Sequence, residues 1–198
     1  MNKVNYDKMM QEQMAAAKEG ATLLLHSCCA PCSSACLERL KEKFKITVLF
    51  YNPNIDEEEE YEKRKAEQIR FLKETGWAEF LDCDHEAEKF VKTTKGMELE
   101  PERGPRCYRC YALRLEKTAL LAKEMGFDYF ATTLTLSPLK NTDWLNEIGE
   151  KQGGMYEVKY LFSDFKKQGG YYRSTALSQE YGLYRQDFCG CKYSKRNP

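Results

Sequence analysis

A chain of 198 residues with 42% hydrophobic and 31% charged residues has enough apolar sequence for one cored domain, expected to span 1–198, and its composition is neither collagen-like nor disordered. Lysine plus arginine equals aspartate plus glutamate at 31 each, so net charge argues for no polyanionic partner, although a local patch still can. No apolar run approaches membrane-spanning length, and residues 1–20 read as a polar helix without a signal-peptide core, so the expected location is cytoplasmic, with no membrane association.

ATLLLHS (21–27) reads as a buried strand. A cysteine-rich loop follows, then SSACLERLKEKF as a helix and KITVLFYN (45–52) as a second strand. Asn52-Pro53-Asn54 breaks that strand, and Asp56 with Glu59 forms the pattern of a capping box for a long charged helix that stops at Gly76. AEFLDCD (78–84) is a third strand, followed by a short helix and a Gly- and Pro-containing loop over 95–106. Pro105 sits where a helix begins, and CYRCYALRLEKTALLAKEM runs to Gly126. DYFATTLT (128–135) is a fourth strand, SPLKN opens another helix, and MYEVKYLF (155–162) is a fifth strand. RSTALSQEYG is a late helix, and residues 184–198 form an irregular, cysteine-containing tail. Alternating helices and continuously apolar strands predict a three-layer α/β/α fold around a mostly parallel sheet. In such sheets ligands bind beyond the carboxyl ends of the strands, where HSCCAPC lies.

Nine cysteines are the anomaly. An odd number without an export signal argues for metal or redox chemistry rather than a disulfide framework. Three tight groups hold all but Cys83: Cys28, Cys29, Cys32 and Cys36; Cys107 and Cys110; Cys189 and Cys191. Cys107 and Cys110 are spaced i,i+3 at a helix start, where free N–H groups favour thiolate. Four thiolates suit a [4Fe–4S] cluster, and Cys28, Cys29, Cys107 and Cys110 are the favoured set, with Cys32 a rival for either of the first two. A structural zinc on Cys29, Cys32, Cys107 and Cys110 has acceptable spacing as well. Cys189-Gly190-Cys191 can close only a small, strained ring, which favours a redox role over a structural one. Lys192 and Arg185 are the nearby charges expected to lower the pKa of that pair. Cys36 and Cys83 read as buried small hydrophobes and His26 as a satisfied core residue.

Taken together, HSCCAPCS, YNPNI, RGPRCYRCYALRL, ATTLTLSPLKN, YYRS and YRQDFCGCKYS resemble, in that order, the cobalamin-independent epoxyqueuosine reductase family, usually called QueH. The resemblance covers nearly the whole chain from about residue 21. It implies a Rossmann-like domain related to PP-loop proteins, and reduction of epoxyqueuosine to queuosine at the wobble position of tRNA. It implies a [4Fe–4S] cluster without cobalamin, held by Cys28, Cys29, Cys107 and Cys110, and Cys189 and Cys191 as a redox-active, catalytic pair. It also implies an additional iron beside the cluster, and some relatives carry aspartate where this chain has Cys32, which places Cys32 near that site. A tRNA anticodon loop and an external electron donor are the implied partners. The aromatic and basic segments 166–174 and 191–198 and the three arginines of RGPRCYR are candidates for RNA contact. Tyr108, Asp187 and His26 are candidate proton donors. Two other readings stand beside this one. A PP-loop tRNA-thiolating enzyme needs a glycine-rich phosphate loop after the first strand, where this chain has SCCAPCSS, so no use of ATP is expected. A zinc-stapled tRNA-binding module would be colourless and inactive.

Overall fold

The computed structural model describes residues 4–195. Helix α1 (Tyr6–Ala16) precedes β1 (Thr22–His26), α2 (Ala30–Leu40), β2 (Lys45–Leu49), α3 (Glu58–Thr75), β3 (Glu79–Leu81), α4 (Ala87–Thr94) and α5 (Pro105–Glu124). β4 (Tyr129–Thr132), α6 (Thr142–Tyr156), β5 (Lys159–Tyr160) and α7 (Gly170–Glu180) complete the regular elements, with short 3-10 turns at Thr133–Leu136 and Lys192–Ser194. The strands form a five-stranded sheet in the order β3-β2-β1-β4-β5, with every pairing parallel. That is the α/β/α architecture the alternating pattern predicts, and the Rossmann-like one the family resemblance implies.

The strands read as continuous apolar runs because both faces are covered. Leu23 and Leu25 of β1 point into one core with Leu37 and Leu40 of α2 and Leu177 of α7. Leu24 points the other way, against Leu115 and Ala119 of α5 and Ile148 of α6. The period-2 alternation of the strand thus feeds two layers of helices from one run of leucines.

Several boundaries differ from the sequence expectation. The α2 helix starts at Ala30, with Pro31 in its first turn, so it includes Cys32. The α3 helix starts at Glu58 without a side-chain cap, because the Asp56 carboxylate instead accepts the Lys192 backbone N–H at 3.0 Å. SPLKN is a loop, and α6 begins only where the Asn141 side chain accepts the Trp144 N–H. The expected strand at 155–162 shrinks to Lys159–Tyr160, because α6 continues through Tyr156. Gly149 makes that docking possible: a Cβ there would lie 2.3 Å from the Tyr160 ring.

Candidate active site

β1 lies at the centre of the sheet, and the strand order reverses between β1 and β4, which opens a crevice past their carboxyl ends. The chain leaving β1 is held there by backbone and side-chain bonds. Ser27 N–H donates to Leu49 O at 2.9 Å, and the Asn52 amide donates to Ser27 O at 2.8 Å. Cys29 is the extended N-cap of α2, and its Sγ lies 3.8 Å from that of Cys28. Cys32, in the first turn of α2, brings a third sulfur in, and the three lie within 4.8 Å of one another. The group shares its charge unequally. Hydrogen bonds from Cys29 and Cys32 hold Cys28 well below the usual thiol range, while burial pushes Cys29 up to about 12 and the bond to Cys28 raises Cys32. Three sulfurs this close form a group that could hold a metal ion, which would bind with release of the remaining thiol protons. The Gln186 amide adds a donor, 2.9 Å from Cys29 Sγ.

A second group comes from the start of α5. Pro105 opens the helix after Gly104, and the Arg103 N–H donates to Cys107 Sγ at 3.3 Å. Cys110 is buried, which pushes its thiol up to about 12. Cys107 and Cys110 line one narrow cavity with Cys189, Cys191, Arg114 and Lys140. Cys189 also lines a wider cavity of about 170 Å³ that reaches Cys28 and Cys32. The fold therefore brings Cys28, Cys29 and Cys32 together, sets Cys107 and Cys110 beside Cys189 and Cys191, and makes Cys189 a wall common to both spaces.

The tail reaches this place because α3 holds it. Arg64, 1% exposed, pairs with Glu60 at 2.6 Å and donates to Cys189 O at 3.2 Å and Phe188 O at 3.4 Å. Gly190 is required between the two cysteines: its φ is +117°, and a Cβ would meet Ile55 Cγ1 at 2.7 Å. Both tail thiols are free. The charge on Cys189 is not the one expected from sequence proximity. Lys192 Nζ sits over the Tyr193 ring and Arg185 bonds to Ser174 O and Ser178 Oγ of α7. Lys140, from the SPLKN loop, instead donates to Cys189 Sγ at 2.7 Å. Burial alone would raise Cys189, but Lys140 and Arg114 outweigh it and lower the thiol. Cys191 is raised by burial and by Cys189, so the pair is one acidic and one proton-retaining thiol rather than two acidic ones.

Other candidate residues fall elsewhere. His26 is fully buried between Thr132 Oγ1 at 2.9 Å and Tyr51 O at 3.0 Å, and burial holds it down to about 3, so it is a neutral structural group and not a proton donor. Tyr108 donates to Glu147 at 2.9 Å, while Asp187 lines the wide cavity. Cys36 is a buried residue of α2 whose thiol donates to Cys32 O, and Cys83 is half-buried beside Phe50 O. Arg106 is unavailable to RNA: it is buried and donates to the carbonyls of Met97, Glu98 and Glu100. In segment 166–174, Arg173 pairs with Glu38, whereas Tyr172 is 80% exposed and Tyr171 borders the wide cavity. Of segment 191–198, residues 196–198 lie outside the described residues.

Arg114 and Arg64 were not singled out by sequence reasoning. Arg114 had a signal: it follows Cys110 by four residues and Cys107 by seven, one stripe of the helix. It is fully buried, and both of its terminal nitrogens lack a hydrogen-bond partner among the described residues. A buried cationic donor left unpaired is costly, so this wall of the site fits an anionic group, as a cluster with thiolate ligands is.

Compared with known proteins, residues 23–197 match the model of the family Epoxyqueuosine reductase QueH. The chain is 45% identical to an epoxyqueuosine reductase QueH of Streptococcus pyogenes serotype M1, over 98% of this chain and 79% of that protein. It is 42% identical to one of Staphylococcus epidermidis, over 97% of this chain and 85% of the other. It is 36% identical to one of Thermotoga maritima, over 87% of this chain and 90% of the other.

Proposed function

The chain belongs to the epoxyqueuosine reductase QueH family, and from that premise we infer that it is an oxidoreductase of tRNA modification that reduces the epoxide of epoxyqueuosine to the alkene of queuosine. We propose further that Cys28, Cys29, Cys107 and Cys110 hold a [4Fe–4S] cluster, with Cys32 beside an additional iron. The observation that supports the reading is that the cysteine groups line two cavities with Cys189 common to both, in a chain matched over residues 23–197. Arg114, buried without hydrogen-bond partners for its terminal nitrogens among the described residues, supports an anionic group there.

The reaction requires two electrons and two protons: both C–O bonds of the epoxide break, a C=C bond forms, and the oxygen leaves as water. An iron–sulfur group held by Cys28, Cys29, Cys107 and Cys110 would supply one-electron transfer, and an iron beside Cys32 would supply Lewis acidity. The protein supplies the rest. Oxidation of the Cys189 thiolate and the Cys191 thiol to a disulfide releases two electrons and one proton, the Lys140 ammonium beside Cys189 gives the second proton, and an external donor of electrons and protons then restores the pair. Lys140 keeps Cys189 as the thiolate partner, and Cys191 retains its proton for transfer. Leu134 and Leu136 form an apolar wall of the cavity, and Tyr171 and Arg185 border it. A wobble nucleotide has to leave its stack to enter, and an exposed tyrosine offers a face worth about 1–3 kcal/mol per stacked base.

The test uses anaerobically reconstituted protein of measured iron and sulfide content. It is reduced and mixed with tRNA carrying epoxyqueuosine, without cobalamin or ATP, and the nucleosides are analysed by mass spectrometry. Queuosine is the expected product. Unchanged epoxyqueuosine with a verified cluster sinks the reading, and zinc without iron in the purified protein favours the binding module.

A further inference from the structure

Arg114 stands out among the buried charges. It lies on the face of α5 that continues into the apolar core through Leu115, Ala119 and Ala122. Its exposure is 0%. Arg64, buried to the same degree, has the Glu60 carboxylate and two backbone carbonyls. Arg114 has no carboxylate partner among the described residues, and only its Nε reaches an acceptor, Cys110 O at 3.4 Å. The Tyr111 ring, 5.8 Å from its guanidinium carbon, offers a π face, but no oxygen, nitrogen or sulfur acceptor among the described residues meets the two terminal nitrogens. Arg114 lines the narrow cavity with Cys107, Cys110, Cys189 and Cys191, and Cys110, Cys189 and Cys28 are the groups whose ionised forms act on the guanidinium most strongly. A fixed cation with two free donors, ringed by thiols from all three cysteine groups, is complementary to an anion bound among them.

We propose that Arg114 is a positioning residue of the cofactor site, whose terminal N–H groups donate to sulfur atoms of the bound iron–sulfur group and raise its reduction potential. This rests on the cofactor reading above and adds a residue and a property to it. The physics is charge balance. Reduction adds an electron to an already anionic group in a water-poor site, and a guanidinium beside it favours the more negative state; hydrogen bonds to cluster sulfur act in the same direction.

The experiment compares wild-type, Arg114→Lys and Arg114→Met proteins, each reconstituted anaerobically with ferrous iron, sulfide and reductant. Iron and sulfide contents are measured, and the reduction potential is taken from an EPR-monitored titration. In Arg114→Met the one-electron reduction equilibrium is expected to move at least tenfold toward the oxidised form, about 59 mV lower. Arg114→Lys keeps the charge and is expected to move it by less than about threefold. A wild-type potential in Arg114→Met at full iron and sulfide content overturns the proposal. Where Arg114→Met takes up no cluster, thermal unfolding of the iron-free proteins decides. A midpoint equal to or above that of iron-free wild type means that only the partner of an anion was lost, and supports the proposal. A lower midpoint makes the arginine a core-filling side chain and overturns it. Wild-type protein that assembles no iron–sulfur group under the same conditions fails the cofactor reading itself, and the proposal with it, an outcome told apart by the absence of cluster absorbance in all three proteins.

Discussion

Replacing Lys140 by Met tests the electrostatics of the tail pair. The Lys140 ammonium donates to Cys189 Sγ at 2.7 Å in a half-buried setting. A hydrogen bond to a charged group contributes about 1.5–3 kcal/mol, and one pKa unit corresponds to about 1.36 kcal/mol. Removing the ammonium therefore raises the Cys189 pKa, since burial then opposes the thiolate with only Arg114 against it. Below both pKa values the thiolate fraction falls by about ten- to a hundredfold. The sign for stability follows from the same shift. A depressed thiol contributes stability that is complete above the unfolded value of about 8.5 and lost as the pH falls through the folded one. In Lys140→Met that contribution shrinks. The assay is peptide-resolved alkylation of iron-free protein across a pH series, with Cys191, which burial raises, as the internal reference. The midpoint for Cys189 moves to higher pH in Lys140→Met and stays near wild type in Lys140→Arg. A Cys189 profile in Lys140→Met that overlays the wild type refutes the assignment of Lys140 as the activating charge.

Gly190→Ala forces a side chain onto φ +117° and against Ile55; a cost of about 1–3 kcal/mol is expected, read as early proteolysis of the tail and lost turnover with the sheet intact by circular dichroism. Arg64→Ala removes the partner of buried Glu60 and frees the carbonyls of Phe188 and Cys189; denaturant unfolding is expected to show a loss of about 3–5 kcal/mol. Gly149→Ala places a Cβ 2.3 Å from the Tyr160 ring, and overpacking of about 1–3 kcal/mol is expected as a lower melting temperature. Cys107→Ala and Cys110→Ala are expected to lose bound iron, while Cys83→Ala, beside Phe50 O and outside both thiol groups, keeps it; full iron content in the first two removes them from the ligand set.

Residues such as Leu23, Leu24 and Leu25 determine the sheet without help from the rest of the chain, because three successive apolar side chains on a strand demand cover on both faces. Pro105, the stop at Gly76 and the placement of HSCC after the first strand are equally local, since they follow from backbone restriction and from the polarity of parallel sheets. What sits around the sulfurs is not local. Lys140 meets Cys189 across 49 residues of sequence, and Arg64 meets it across 125, so neither contact leaves a periodicity to read. The same non-locality misplaced the start of α3, where Asp56 serves the tail instead of its own helix, and the end of α6, where Gly149 and Gly153 let a helix lie against β5 in a stretch that reads as strand. Composition and spacing are sums over neighbours in the chain, and they determine which residues carry chemistry and which edge of the sheet they occupy. The charge each thiol carries is set by burial and by the cations of other elements, and only the tertiary structure decides those.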